Sequence, residues 1–420
     1  MYFSSTRDRN KEHRLCASEA ILQGLAPDGG LYVPSELPQI DSSISVDLPY
    51  DEFAYRVLLP FFEGDSNLSR EDLRDICRGA FNFPIPLRRL KNTDVLELFH
   101  GPTAAFKDFG ARFLAFTMEK LLVKKNEKLC ILVATSGDTG GAVASAFYRR
   151  QNLSVKVLFP KGRVAERQKK QLTCWGENVE SYEVRGSFDD CQRMVKSAFV
   201  DPSLSGLSSA NSINLGRLLP QMVYYVYASM LYVRQYGKEP VIIVPSGNVG
   251  NCTGAYWARK IGSPIRRVAL AVNANTTIPE YLETGKYNPR DAIKTLANAM
   301  DVGAPSNMER LFDLFGTYEE RCENISAWSV SDEEIKRTIK EVYSEEGYVM
   351  CPHTACGERV RRDHFASEDT IIVSTAHPAK FDTVVEPLVG IEVPMPESLS
   401  SLMDKKSIYK EIDADYHQIF

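Results

Sequence analysis

No stretch of this 420-residue sequence approaches the ~18 to 20 uninterrupted apolar residues of a membrane-spanning helix, which excludes an ordinary helical membrane protein. Cysteine gives no framework either. The nine cysteines are an odd number, spread singly from Cys16 to Cys356, so a disulfide-stapled fold is excluded and reduced thiols are expected. The one suggestive cluster, CPHTAC with Cys351, His353 and Cys356, lacks a second ligand pair at zinc-finger spacing, and no metal is expected. Positive charge is not in excess: the net charge is −5 and the pI near 5.8, so no basic face for nucleic acid or anionic lipid is implied. Any anionic ligand must then be held by local groups. The opening MYFSSTRDRNKEHR lacks the apolar run of a secretory signal, and a cytoplasmic location is expected. Tracts rich in Pro/Gly or Ser are missing too; with 44% hydrophobic and 25% charged residues the chain is expected to fold nearly throughout.

What is present is alternation. KLCILVATSG precedes GAVASAFYRR, SVKVLFP precedes ERQKKQLTCW, PVIIVPSGNVG precedes TGAYWARKIG, and RRVALAVNAN and DTIIVSTAHPAKF follow. Short apolar, β-branched runs followed by helical segments are the mark of parallel sheets buried on both faces, so the fold class is α/β. Residues 1–95 differ, with proline punctuation and amphipathic segments such as YDEFAYRVLLPFF, and predict a mostly helical N-terminal unit. Residues 306–345 also read as helical, with Ser331 and Glu334 spaced as a capping box. The length suggests two or three units with a cleft between them.

Three loops placed after apolar runs, and a fourth segment, carry unusual chemistry, and in open α/β sheets ligands bind at the carboxyl ends of strands. PSGNVGN (245–251) follows PVIIV and precedes a helix, so its backbone N–H groups could cradle a phosphate; a plain strand-to-helix turn is the alternative. It is neither a Walker A loop nor a dinucleotide G-x-G-x-x-G. ATSGDTGGA (134–142) crowds the hydroxyls of Thr135, Ser136 and Thr139 at a helix start, which suits a carboxylate or simply caps the helix. In VSTAHPAKF (373–381) a hydroxyl ending a strand can face a neutral ring nitrogen; His377 is a general-base candidate with nothing nearby in sequence to orient it. SANSINLGRLLPQ (209–221) offers Asn211, Ser212 and Arg217 as a grip for a second anion, against the plainer reading of a polar loop and a surface arginine.

HGPTAAFKDFG (100–110) sets Lys107 between Phe106 and Phe109. Burial disfavours the charged amine, lowering its pKa by up to ~3 to 5 units and making it nucleophilic near neutral pH. The alternative is a stem that carries its head out to solvent, with Asp108 merely a neighbour.

Together these segments resemble the threonine synthases, pyridoxal-phosphate (PLP) enzymes of the tryptophan-synthase-β fold type (fold type II), in their longer bacterial and fungal branch. HGPTAAFKDFGARF, TSGDTGGAVASAF, SANSINLGRLLPQ, VPSGNVGN, NAMDVGAPSN and STAHPAKF stand in the family's order, with DGGLYVPSELP before them. The resemblance implies two open twisted sheets flanked by helices, divided as an N-terminal unit 1–95, a small α/β domain 96–220 and a large one 221–420. It implies that Lys107 bonds the cofactor's aldehyde and shuttles protons, that Gly247, Asn248, Val249, Gly250 and Asn251 surround the cofactor phosphate, and that Thr375 faces the pyridine nitrogen. Thr135, Ser136 and Thr139 match the loop receiving the substrate carboxylate; Asn211, Ser212 and Arg217 match the group holding the substrate's phosphate. Asp138 stands where shorter relatives carry an asparagine beside the cofactor's ring oxygen, and Val249 replaces a common phenylalanine.

The implied reaction turns O-phospho-L-homoserine and water into L-threonine and phosphate, in a chain that is a monomer or homodimer. A phospholyase giving an oxo acid and ammonia is the nearest alternative. Another lyase of the fold type would need no substrate-phosphate site, which Asn211, Ser212 and Arg217 supply, and a non-enzymatic relative would be expected to lose the lysine or the cradle.

Overall fold

The computed structural model describes residues 1–420 apart from Arg9 and Ser136. Two parallel-rich sheets dominate. The larger has six strands in the spatial order Ser326–Ser329, Arg267–Val272, Val241–Pro245, Thr370–Ser374, Asp94–Glu97 and Leu87–Arg89. All its pairings are parallel except that of the edge strand Leu87–Arg89 with Asp94–Glu97. Val241–Pro245 and Thr370–Ser374 are buried along their whole length, which is why they read as unbroken apolar runs. The smaller sheet has five strands, in the order Lys410–Asp413, Val179–Arg185, Leu153–Pro160, Leu129–Ala134 and Leu207–Ser208, all parallel.

The division at residues 220 and 221 is corrected at the chain's end. Lys410–Asp413 returns to the small sheet, pairing with Val179–Arg185, where Arg185 bonds both Glu411 and Asp413 at 2.8 Å. An exposed strand edge attracts the last extended segment of the chain, and complementary charges fix its register. Residues 306–345 are likewise not wholly helical. Ser326–Ser329 pairs with Arg267–Val272 and closes that edge of the large sheet; with only Ala327 and Trp328 apolar, and adjacent, it gives no alternating pattern to read. The capping box at Ser331 and Glu334 is present at the start of the Asp332–Glu346 helix.

The N-terminal unit contributes helices at Ala17–Gln23, Tyr50–Leu58 and Arg70–Ala80 and a two-stranded ribbon of Phe3–Ser5 and Tyr32–Pro34. It shares one core with the rest: Phe53 and Phe61 lie in the same apolar cluster as Phe109 and Phe113 of the Lys107–Lys125 helix and Tyr224 of the Leu215–Tyr236 helix. Those two long helices pack on each other, and Gly110 permits it; a Cβ there would lie 2.7 Å from the Arg217 carbonyl oxygen.

Candidate active site

Lys107 opens its helix without a side-chain cap on Phe106, and the turn before it is locked by other means. Phe106 N donates to the Thr375 carbonyl at 2.8 Å and His377 N to that of Ala104 at 3.0 Å, which ties the lysine loop to the end of strand Thr370–Ser374. Asp108, one residue on, is more than a neighbour. Its carboxylate accepts from Thr103 N at 2.8 Å and Thr103 Oγ1 at 2.7 Å, and it lies over Gly101, where a Cβ would come within 2.5 Å. Ala104 has φ 52°, a left-handed conformation that costs an alanine about 1 kcal/mol or more and that these bonds enforce.

The Lys107 side chain is half-buried, and its ammonium is nonetheless well surrounded by protein. Burial, reinforced by the charges of Arg217 and Lys380 and opposed by Asp138, brings its pKa down to about 8. The stem therefore does not simply carry a fully charged head to solvent. Phe109, expected to supply the apolar surroundings, packs instead among Phe83 and Tyr224 at 4.8 and 5.2 Å between ring centres.

All of the chemically unusual loops lie at carboxyl ends of parallel strands. In the 245–251 loop, Val249 adopts φ 51°, an outlying conformation for a β-branched residue, immediately before the Gly250–Lys260 helix. No backbone carbonyl among the described residues accepts from the N–H groups of residues 247 to 251. Strained backbone, free N–H donors and a helix N-terminus together fit a phosphate. Gly247 leaves no room for a side chain, its Cβ position lying 2.7 Å from Met300 Cα. The Asn251 side chain braces the loop through Oδ1, which accepts from Tyr224 at 2.5 Å and Tyr225 at 2.7 Å, while its buried Nδ2 has no partner among the described residues. Asn248 Nδ2 donates to Ser212 Oγ at 2.6 Å, which joins this loop to the 209–217 segment.

Arg217 is buried. One nitrogen donates to the Ala210 carbonyl at 2.5 Å, and Nε has no partner among the described residues. Burial brings its pKa down to about 10, and Asp108, whose charge it feels, is already engaged by Thr103. A buried guanidinium with an unused donor is costly by itself and fits an anion. Asn211 and Ser212 beside it keep partial exposure, as does Thr139. This is not the surface arginine of the plainer reading.

The Thr135 hydroxyl turns inward. Its Oγ1 accepts from Gly137 N at 3.0 Å and Gly140 N at 2.9 Å, so the hydroxyl shapes the loop from within and caps the Asp138–Phe147 helix, leaving Thr139 as the freer hydroxyl. Ser136 lies outside the described residues. Thr375 is buried at the strand end. His377 is held as a local cap, with Nδ1 accepting from Ala379 N at 3.2 Å and the ring edge-on to Phe99, and burial brings its pKa to about 4.

Two further residues complete the site: Lys380, given no part by the sequence, and His353, named only within the CPHTAC cluster. Lys380 is buried, with Nζ 2.8 Å from Asp138 Oδ1 and 2.8 Å from the Thr103 carbonyl; Gln168 Nε2 donates to the same Asp138 oxygen at 3.0 Å. Burial alone would raise the Asp138 carboxyl, but the charges of Lys380 and Lys107 and the hydrogen bonds from Lys380 and Gln168 outweigh it and hold it well below the carboxylate range. The signal for Lys380 was the one that marked Lys107, an ammonium between apolar neighbours just past a strand. His353 is the second: Nε2 accepts from Ala299 N at 3.1 Å, and burial brings its pKa to about 4. Among the described residues no helix is long and apolar enough to cross a membrane.

Comparison with known proteins bears on this geometry. The family model described as pyridoxal-phosphate dependent enzyme matches residues 83–375, that of the threonine synthase N terminus residues 2–81, and that of the threonine synthase C-terminal region residues 354–419. The threonine synthase of Haemophilus influenzae is 40% identical over 98% of this chain and 97% of its own length. The structure of PLP-bound threonine synthase from Brucella melitensis superposes with a TM-score of 0.92 at 35% identity, covering 100% of this chain and 98% of that one. The Escherichia coli threonine synthase structure gives 0.90 at 36% identity, with 100% and 98% covered.

Proposed function

The chain belongs to the threonine synthase family of pyridoxal-phosphate-dependent enzymes, and from that premise we propose that it converts O-phospho-L-homoserine and water to L-threonine and phosphate. The observation that carries the substrate assignment is Arg217: a buried guanidinium with an unpartnered Nε, whose charge reaches Lys107, supports a phosphorylated substrate over a plain amino acid.

The bound cofactor supplies an electron sink for negative charge developing on the substrate's carbon skeleton. The N–H groups of residues 247 to 251 would hold its phosphate, and the Thr375 hydroxyl would meet its ring nitrogen. Lys107 anchors it and, as a neutral amine, takes the proton from Cα. With a pKa of about 8, a useful fraction of the amine is neutral near pH 7. The same nitrogen moves protons at Cβ and Cγ as phosphate departs. Thr139, with the N–H groups at the start of the Asp138–Phe147 helix, holds the substrate carboxylate in the loop that Thr135 shapes; Ser136 is assigned to the same group. Asn211, Ser212 and Arg217 hold the phosphate, and Arg217 offsets the charge that grows on it as the Cγ–O bond breaks. Asp138, fixed by Lys380 and Gln168, keeps a negative charge close to the Lys107 nitrogen.

Product analysis tests the proposal. Purified protein loaded with PLP and given O-phospho-L-homoserine in ¹⁸O-labelled water should release phosphate and threonine in equal amounts, with the label in threonine. Release of 2-oxobutyrate and ammonia as main products would overturn it in favour of a phospholyase.

A further inference from the structure

Arg310 lies in the short Met308–Leu314 helix, far in sequence from every assigned site residue, and is completely buried. Its guanidinium spends four hydrogen bonds on neutral oxygens: Nε and one terminal nitrogen to the Tyr32 carbonyl at 3.1 and 3.0 Å, the same terminal nitrogen to the Ile213 carbonyl at 2.7 Å, and the other to Asn307 Oδ1 at 2.6 Å. No carboxylate among the described residues bonds to it, and only the field of Glu309 partly offsets its charge. The adjacent Glu309 is paired with Arg7 at 2.9 Å. Burial brings the pKa of Arg310 down to about 9, a measure of how poorly this cation is offset.

A buried, unpaired guanidinium is expensive, and such a cost is retained where a ligand returns the missing negative charge or where the fork fixes a geometry nothing else would. Both apply here. Arg217 holds the Ala210 carbonyl and Arg310 the Ile213 carbonyl, so two uncompensated arginines grip the two ends of the same four-residue turn, with Asn211 and Ser212 between them. Asn307, oriented by Arg310, passes the constraint on: its Nδ2 donates to the Asn248 carbonyl at 3.1 Å and reaches the Ser212 carbonyl at 3.5 Å. The Tyr32 carbonyl brings the N-terminal unit into the same network.

We infer that Arg310 is a positioning residue for the phosphate end of the substrate site, fixing the Ala210–Ile213 turn from behind and adding the second unpaired positive charge that a phosphate dianion requires. The inference rests on the proposed phosphohomoserine reading. It also gives the N-terminal unit a part in the site, since the ribbon strand Tyr32–Pro34 supplies the carbonyl on which the fork is braced.

The test uses PLP-loaded protein in three variants: Arg310→Met, Arg310→Lys and, as control, Arg217→Met. Three quantities are compared: calorimetric affinity for inorganic phosphate, KM for O-phosphohomoserine, and PLP retention by absorbance. Arg310→Met should weaken phosphate binding and raise KM by about tenfold or more, and Arg310→Lys, which keeps charge but not the fork, by a smaller factor, with PLP retention changed by less than about twofold. If the Met variant does not fold, the Lys variant decides. Phosphate affinity and KM unchanged in whichever Arg310 variant folds, or PLP lost in step with phosphate, would overturn the inference. If Arg217→Met also leaves phosphate binding untouched, the phosphohomoserine reading itself falls; if Arg217→Met weakens it and the Arg310 variants do not, only the role of Arg310 falls.

Discussion

Two buried charged corners exert their fields on Lys107, and they are built in opposite ways. In one, Lys380 meets Asp138 at 2.8 Å, with Gln168 on the same carboxylate oxygen and the Thr103 carbonyl on the ammonium. In the other, Arg217 and Arg310 are as deeply buried and meet only carbonyl and amide oxygens. The first corner is complete without a ligand, so its pair sets geometry and local field. The second is incomplete, because neither cation there is bonded to a carboxylate among the described residues; Asp108 and Glu309 act on them only through their fields. Internal charge pairing thus separates the groups that tune the amine from those that wait for an anion.

The two corners should respond differently to mutation. The largest effect falls on the group they share: Lys107→Ala should lower turnover by about 10³-fold or more while PLP is still retained through its phosphate, and near-normal activity in steady-state assays would refute the assigned role. Next comes the paired corner. Lys380→Met leaves a buried carboxylate without its cation and should cost about 3 to 5 kcal/mol in denaturant unfolding, with most of that recovered in the Asp138→Asn, Lys380→Met double variant. The cation corner should show the reverse. Arg217→Met removes a buried charge that has no partner, so its unfolding midpoint should stay level or rise; a loss comparable to that of Lys380→Met would erase the distinction drawn between the corners.

A separate effect is a dependence on pH set chiefly by burial of His353. His353 is neutral in the fold at about 4 and charges near its ordinary value of 6.5 when unfolded. The unfolded chain then binds more protons, so stability is full above about pH 6.5 and is lost as pH falls toward 4, by about 1.4 kcal/mol for each unit of difference at most. His353→Gln should flatten that part of the stability curve, and an unchanged slope would remove His353 as its source.

Much of this was legible in the sequence, for identifiable reasons. Val241–Pro245 and Thr370–Ser374 announce themselves because central parallel strands are apolar on both faces, and the loops after them carry the ligand-binding chemistry because strand ends converge. Ser326–Ser329 and Lys410–Asp413 were not legible as sheet members, because edge strands are short and half polar and take their place from partners far away in sequence. Within the site, Arg217 could be named but not its orphaned Nε, and Thr135 could be named but not the turning inward of its hydroxyl. Arg310 was hidden by Glu309: two adjacent charges on a helix read as one solvated face, yet one forms a surface ion pair and the other lies in the core. Lys380 needed only the reasoning already applied to Lys107.

Arg217 is the cation through which the substrate's phosphate is most directly tested. In Arg217→Ala, KM for O-phosphohomoserine and the dissociation constant of PLP should be measured on the same preparation. KM should rise by roughly 30-fold or more while PLP affinity stays within about threefold, because the guanidinium is assigned to the substrate alone. An equal loss of both would mean that Arg217 serves the cofactor's phosphate, and the contrast between the two corners would no longer describe the site.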